Sequence, residues 1–321
     1  MSDHNEEFPD LVMPDISELY PDSPGTVYAD PPEQNKYSAL LSLHSTKLYK
    51  TKQMKAIKLM PPFASAKEAI EVNRGLCAAL VMEWLKMMKE KAESLKSLNE
   101  NQYVQVLVEY YGHILPMYSR ATPMPPQEYY AKVAEAWKQN KVKDLQLEYI
   151  NVGTQAEERA KSQNKKPTAD QLINARLDEQ MKYLMKARNF GERIRLSVPE
   201  PSNLNGYGAF WKGKVGADSF PDIMKKYIDN QKQSSGGTFV GLILPASSLY
   251  GGDDATAHAV ALYCYANVTP GSKESRATFF DPNFGIYRIF PNQEREFFAQ
   301  LGQVYNAAHP NLNIQIILGV G

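Results

Sequence analysis

Three short stretches of the chain contain residue types that together could do nucleophilic chemistry. Cys77 ends the stretch 73–77, His258 lies in 257–260, and Asp281 lies in 280–283. A thiol attacks as its thiolate, an imidazole can hold and return the proton, and a carboxylate can fix the orientation of the imidazole. The chain has only two cysteines and five histidines, so few other thiol–imidazole pairings exist. The sequence therefore predicts a Cys–His–Asp triad, and we expect it to meet in a cleft that solvent can reach.

Each of these residues also has a non-catalytic interpretation. Cys77 could be a small apolar residue in a helix interface, and His258 could be the satisfied polar end of a buried strand. Asp281 stands before a proline in a strong turn signal, which explains a carboxylate there by itself. Asp253 and Asp254 compete for the orienting role, but the Gly–Gly loop before His258 would hold them poorly. We therefore prefer Asp281 as the acid.

The position of the thiol within its helix favours reactivity. Gly75 allows a sharp turn, after which a helical pattern begins at Leu76, so Cys77 falls in the first turn. The positive end of a helix dipole and an adjacent imidazolium both favour a thiolate over the thiol of a free cysteine, whose pKa is about 8.5. For the oxyanion hole we predict the main-chain N–H of Cys77 with the side chain of Asn73, preferred to Arg74 because its amide is uncharged.

Helical patterns dominate the first part of the chain and strand patterns the second. On the first long helix one face is apolar, through Cys77, Leu80, Val81, Trp84, Leu85 and Met88. Further helices are predicted at about 101–115, 127–149 and 168–189. Strands are predicted at 193–198, 238–244, 258–268, 277–281, 286–290 and 313–318, with a helix at 292–308. This order predicts an α+β fold, in which a helical half carries the nucleophile and a mostly antiparallel sheet carries His258 and Asp281.

Two smaller features were assigned no catalytic part. Alternation along the strand places Cys264 on the same face as His258, six residues deeper, so we predict a packing role for this second cysteine. The glycines between Gly206 and Gly216 lack the Gly-Lys-Ser/Thr signature of a phosphate loop and predict a connecting loop or cleft rim.

Composition excludes several classes of function. The 36 basic and 36 acidic residues cancel, so a nucleic-acid partner is not expected. Two cysteines cannot build a disulfide framework, and no metal-binding motif is present. The chain begins without the basic and apolar regions of a secretory signal, and it has no run of about 18 apolar residues, so we expect neither Sec-type export nor membrane insertion.

The N-terminal segment differs from the rest of the chain. Residues 1–35 hold nine carboxylates and six prolines but no Lys or Arg. We predict an acidic, Pro-rich tail that could be a translocation signal or a chaperone-binding leader, or simply a solvated tail. The remainder, 36–321, is predicted to be one domain with a helical insertion at about 100–190.

These motifs resemble those of the YopT/AvrPphB family of papain-like cysteine proteases, bacterial effectors delivered into host cells. The family pattern at the nucleophile is matched by Gly75, Cys77, Leu80 and Trp84. His258 is followed by small and apolar residues, and 280–285 match an aromatic-Asp-Pro-Asn-aromatic-Gly motif, the most specific of the three. The resemblance covers about 65–90 and 237–320. The Cys–His interval is longer than is usual for the family, and so is the hairpin between His258 and Asp281.

The resemblance implies a papain-like fold with extra helices inserted between nucleophile and base. It implies a cysteine endopeptidase that needs no cofactor and hydrolyses a protein in a host or target cell through an acyl-enzyme. Such a protein would be made in the bacterial cytoplasm, secreted without a Sec signal peptide, assisted by a chaperone at its tail, and active in the host cytosol. The same triad also supports glutamine deamidation, transglutamination or acyl transfer, and a catalytically silent binding module would keep the residues without using them.

Overall fold

The computed structural model describes part of the chain in detail. The described residues are 39–49, 76–96, 102, 106, 142–164, 166–168, 171–172, 175–176, 178–180, 182–183, 204–207, 210–213, 220–230, 236–244, 256–265, 275, 277–308 and 313–317. The acidic tail 1–35, Asn73 and the predicted strand 193–198 lie outside these residues, as do the predicted helical residues at 127–141. The predicted domain boundaries therefore stay predictions.

Eight strands occur in the described part of the chain. In chain order they are β1 (Ser45–Tyr49), β2 (Leu204–Tyr207), β3 (Phe210–Gly213), β4 (Gly236–Leu244), β5 (Thr256–Cys264), β6 (Ala277–Asp281), β7 (Gly285–Ile289) and β8 (Asn313–Ile317). Six of them form a sheet in the order β1-β7-β6-β5-β4-β8, and β2 pairs with β3 in a separate hairpin. All of these pairings are antiparallel.

The long helices of the described residues are α1 (Cys77–Lys96), α2 (Val142–Gln163), α3 (Phe220–Asn230) and α4 (Glu294–Ala308). None of the helices within the described ranges is long and apolar enough to cross a membrane. Helices combined with an antiparallel sheet confirm the predicted α+β class.

Helices cover both faces of the six-stranded sheet. Phe279 and Phe280 are neighbours on β6, so their side chains point to opposite faces. The ring of Phe280 lies 5.5 Å from that of Trp84 on α1, whereas the ring of Phe279 lies 5.2 Å from that of Phe297 on α4. A further ring pair, Phe220 with Phe298 at 5.6 Å, joins α3 to α4. The sheet therefore separates a layer containing α1 from a layer containing α3 and α4.

Burial is most extensive where these layers meet the central strands. Between the sheet and the α3–α4 layer lies a cluster that includes Val260, Leu262, Phe279, Tyr287 and Phe297, each at most 1% exposed. On the other face, α1 packs on β4, β5 and β6, and α2 packs against α1. The helix that carries the predicted nucleophile is therefore a central element of the core, as its apolar face predicts.

Gly237 allows the close approach of α1 to the sheet. A Cβ atom at this position would lie 2.6 Å from Cδ2 of Leu85, which is buried on α1. A side chain at Gly237 must therefore push Leu85 aside, and overpacking of this kind costs about 1–3 kcal/mol.

We expect Gly237→Val to lower the free energy of unfolding by about that amount, 1–3 kcal/mol, as measured by urea denaturation. The matched control is the same substitution in a Leu85→Ala protein, where the opposing side chain has been removed. In that background the loss of unfolding free energy caused by valine should fall by more than half, because the Leu85 side chain that valine would contact is absent. Equal costs in both backgrounds would contradict this packing.

Most predicted strands in the described ranges are present with boundaries within two residues of the prediction, except that β5 ends at Cys264 and not at residue 268. Three features were missed. Among the described strands the short edge strand β1 pairs with β7 alone. The helix α3 presents Phe220, Met224 and Ile228 at four-residue spacing, which is a helical signal. Gly206 and Gly213, two of the glycines that predicted a loop at 206–216, instead lie within β2 and β3, where cross-strand pairing overrides their weak strand propensity.

The helix α2 extends beyond the predicted end at residue 149 to Gln163. Its Gly153 lies against a neighbouring segment, because a Cβ there would meet Nε2 of Gln180 at 2.6 Å and Cγ of Arg176 at 2.7 Å. The tertiary contact thus keeps the helix continuous through a residue that has low helix propensity.

Candidate active site

Sheet topology brings His258 and Asp281 together. β5 and β6 are neighbouring antiparallel strands, with Ala261 opposite Phe280. The first residues of β5 and the last residues of β6 therefore lie at the same end of the sheet. This register places Asp281 diagonally next to His258 on the same face of the sheet. Nε2 of His258 lies 3.0 Å from Oδ1 of Asp281, a hydrogen-bonding distance, and the two side chains are 5% and 0% exposed.

The turn after β6 holds the carboxylate in place. Oδ1 of Asp281 also accepts the main-chain N–H of Asn283 at 2.8 Å, and its main-chain carbonyl accepts the N–H of Phe284 at 3.1 Å. Gly285 closes the turn with a φ of 129°, in the region that favours glycine. Asp281 can therefore both stabilise the turn and orient His258, because Oδ1 accepts both hydrogen bonds.

The environment of His258 favours the imidazolium form. Burial by itself lowers its pKa, but the charge and hydrogen bond of Asp281 and the hydrogen bond and charge of Cys77 raise the pKa to about 10 overall. The ring is therefore protonated at neutral pH. Since Nε2 donates to Asp281, Nδ1 is the nitrogen that is left to face the Cys77 sulfur.

Cys77 is the first residue of α1. The N–H of Leu80 donates to the carbonyl of Leu76 at 2.9 Å, so Leu76 occupies the N-cap position. The N–H of Cys77 has no carbonyl four residues earlier within the helix to bond, and the positive end of the helix lies beside its sulfur. Both observations agree with the thiol position that the sequence predicts.

The site is more enclosed than the open cleft expected from the sequence. Cys77 retains 6% exposure, and His258 and Asp281 retain 5% and 0%. The hydrophobic contacts that hold α1 against the sheet also bury its first turn.

Two residues of α2 at the site were not predicted. Oε1 of Gln146 accepts the main-chain N–H of Ala79 at 3.0 Å, inside the buried first turn of α1. Burial raises the pKa of the Tyr149 phenol, and the charge of Cys77 raises it further while Arg176 lowers it, so the phenol is neutral and near the sulfur. Nothing in the sequence signals these contacts, since they join segments about 70 residues apart.

Asn283 also lies beside the pair, with Nδ2 3.4 Å from Nε2 of His258. The sequence marks Asn283 as a turn residue and as part of the aromatic-Asp-Pro-Asn-aromatic-Gly motif, but not as a partner of His258. An amide hydrogen can bond Nε2 only when that nitrogen has lost its proton, so this contact competes with Asp281 for the tautomer. The carboxylate at 3.0 Å and the imidazolium charge favour the Asp281 contact.

The other predicted residues fall in different places. Cys264 is 1% exposed and belongs to the cluster between the sheet and the α3–α4 layer. Asn73, the predicted oxyanion-hole donor, lies outside the described residues, as do Asp253 and Asp254. Catalytic roles for Cys77, His258, Asp281 and Asn73 stay predictions.

No family model matches the chain, and no curated protein matches it. Among solved structures the chain is similar to one described as the crystal structure of Pseudomonas avirulence protein AvrPphB, with 16% sequence identity and a TM-score of 0.37. The similarity covers 78% of this chain and 94% of that one. A similarity of this size identifies neither the fold in detail nor the activity.

Proposed function

We propose that this protein is a papain-like cysteine endopeptidase that hydrolyses a peptide bond of a protein in a host or target cell. The observation that carries the proposal is the placement of His258, which contacts the Asp281 carboxylate through Nε2 and also has the Cys77 thiol as a hydrogen-bond partner. The Cys77 sulfur lies at the positive end of a long buried helix. This arrangement of thiol, imidazole and carboxylate supports the proposal of nucleophilic catalysis.

Acylation is the first half of the proposed reaction. The Cys77 thiolate attacks the carbonyl carbon of the scissile bond, and the negative charge moves to the carbonyl oxygen, which the N–H of Cys77 and the amide of Asn73 stabilise. His258 gives its Nδ1 proton to the nitrogen of the leaving amine as the C–N bond breaks. The product is a thioester on Cys77, with a neutral imidazole.

Deacylation restores the resting state. Neutral His258 takes a proton from water, and the oxygen of that water attacks the thioester carbon. The C–S bond then breaks, which releases the acid product and leaves the Cys77 thiolate beside the imidazolium. Asp281 keeps the ring oriented and stabilises its positive charge in both halves. These steps use groups of the protein itself and no cofactor.

The biological setting of the proposal comes from the motif resemblance. We propose secretion from a bacterium without a Sec signal peptide and action in the cytosol of the target cell. The acidic tail 1–35 would serve secretion, through a chaperone or as a signal. The substrate is a protein rather than a nucleic acid, in line with the balanced charge of the chain.

The test uses a Cys264→Ala protein, in which Cys77 is the only thiol. Half of this protein is alkylated with iodoacetamide in mild denaturant and refolded, and the other half is taken through the same steps without reagent. Each half is incubated with an extract of eukaryotic cells, and new protein N-termini are quantified by mass spectrometry. We expect specific new N-termini with the unmodified half only. New N-termini with both halves, or with neither, would overturn the proposal.

The same experiment separates the other uses of the triad. Deamidation adds about one dalton to a substrate without new termini, because an amide becomes an acid, and transglutamination joins the substrate to an amine. The 6% exposure of Cys77 favours one further candidate, a binding module that keeps the residues but performs no chemistry. Such a module would leave the extract unchanged in every respect.

A further inference from the structure

We infer that Gln146 is a positioning residue for the nucleophile, because it supplies from α2 the helix cap that the sequence of α1 lacks. The inference rests on the proposed function, since it assigns a purpose to the geometry around Cys77. It concerns a region, 142–163, for which the sequence predicts only an inserted helix.

The first turn of α1 cannot be capped by its own N-cap residue. A helix usually begins at a Ser, Thr, Asp or Asn, whose side-chain oxygen accepts the N–H of the second or third helical residue. Leu76 occupies that position here and has no such oxygen. The N–H of Ala79, the third helical residue, instead donates to Oε1 of Gln146 at 3.0 Å. A side chain 67 positions away in the sequence thus fills the role of the cap.

The hydrogen bond between Gln146 and Ala79 is buried, and other contacts hold α2 in the position that this bond requires. Gln146 is 5% exposed. Tyr149 lies three residues further along α2, on the same face, and its ring stands 6.5 Å from that of Phe239 on β4. The main-chain carbonyl of Tyr149 accepts a hydrogen bond from Nε2 of Gln180 at 3.1 Å. Gln146 is therefore presented to α1 from a helix that is anchored to the sheet and to the segment behind it.

A cap at this place acts on Cys77 through the backbone. Cys77 is two residues before Ala79 in the same turn, so the Gln146 bond fixes the direction in which the sulfur and the Cys77 N–H point. If the bond is lost, the first turn can unwind, and the sulfur moves away from both His258 and the positive helix end. An uncharged amide suits the position, because a carboxylate there would oppose a neighbouring thiolate.

The test follows the pH dependence of Cys77 alkylation by iodoacetamide in the Cys264→Ala protein. Among the described residues, the titratable and charged groups around the sulfur are His258, with Asp281 bonded to it, and Tyr149 from α2, with Arg176 near Tyr149. Gln146→Met keeps the length of the side chain and removes the acceptor. We expect the midpoint of its pH–rate profile to rise by about one pH unit, as the sulfur loses its place at the helix end. A role in folding alone would lower thermal stability and leave this midpoint unchanged.

Gln146→Glu keeps an acceptor for the Ala79 N–H and adds a negative charge near the sulfur. We expect this protein to fold as the parent does and to show a raised midpoint, while its alkylation rate at high pH matches that of the parent. The inference is overturned if the Met variant folds and keeps the parental midpoint, whatever the Glu variant does. If the Met variant does not fold, a Glu variant that keeps the parental midpoint overturns it. A parent protein whose midpoint equals that of a free cysteine would instead overturn the proposed function.

Discussion

Cys77→Ala is expected to abolish turnover and leave the fold intact. Removal of the nucleophile from a triad of this kind lowers kcat on the order of 10⁴-fold or more, because no other group can form the acyl-enzyme. The side chain is small and 6% exposed, so its loss should change the free energy of unfolding by no more than about 1–2 kcal/mol. The measurements are the rate of appearance of the new N-termini in a cell extract and the thermal midpoint by circular dichroism.

The matched control for this variant is Cys264→Ala. Cys264 is also a buried thiol, but it lies between the sheet and the α3–α4 layer, away from His258. It should lose stability to a similar degree and keep full turnover. If the two alanine variants lose turnover equally, the effect is on the fold and the nucleophile assignment is wrong.

Removal of the Cys77 sulfur should also be visible at His258. The hydrogen bond and charge of Cys77 are two of the influences that raise the pKa of this imidazole to about 10. In Cys77→Ala the pKa of His258 should therefore fall, although Asp281 keeps it above that of an imidazole that is only buried. Imidazole proton or carbon shifts measured by NMR across the pH range would follow this change, and an unaltered titration would show that sulfur and ring do not interact.

The proximity of His258 and Asp281 could be predicted from sequence because the signals of both residues are local. Asp281 lies in a turn motif whose Asn283 and Gly285 are set by backbone geometry, and His258 opens an apolar strand next to it. Two strands that follow each other in sequence usually pair antiparallel, so the start of the first strand lies beside the end of the second. The side chains of His258 and Asp281 were therefore expected to be neighbours. The start of α1 followed from Gly75 and the apolar spacing after it.

What the sequence could not predict depends on contacts between distant segments. The Gln146 contact with Ala79 spans 67 positions, and a glutamine within a polar helix is indistinguishable from a solvated one until the helix is docked. The extent of α2 was missed for the same reason, because Gly153 is kept helical by a neighbour. Burial of Cys77 follows from how tightly α1 packs on the sheet, which depends on positions such as Gly237 that carry no side chain.

Asp281→Asn is expected to lower turnover by up to about 10⁴-fold and to shift its pH dependence. One oxygen, Oδ1, accepts both His258 and the N–H of Asn283, so an amide oxygen in the same place can keep both hydrogen bonds. The substitution then removes the charge alone. A larger loss is expected for Asp281→Ala, which removes the bonds as well and frees the turn.

The direction of the pH shift follows from the influences on His258. The active form pairs a thiolate with an imidazolium, so activity falls as pH rises through the pKa of His258, about 10 in the wild type. Without the Asp281 charge, one influence that raises this pKa is lost, while burial still lowers it. The alkaline limb of the pH profile should therefore move down by at least about one pH unit. The measurement is kcat/KM against pH for both proteins. An alkaline limb that stays in place would show that Asp281 does not act on the ring.

The free energy of unfolding should also show the effect of the Asp281 charge on His258, and its measurement needs no substrate. Because folding raises the His258 pKa from 6.5 to about 10, the protonated ring stabilises the native state fully below pH 6.5, and this stabilisation is lost as pH rises towards 10. Asp281→Asn should therefore cost most stability near pH 6 and progressively less towards pH 10. Urea denaturation of wild type and variant at matched pH values measures this difference. A difference that is constant with pH would mean that the carboxylate stabilises the turn through Asn283 but does not hold His258 in its charged form.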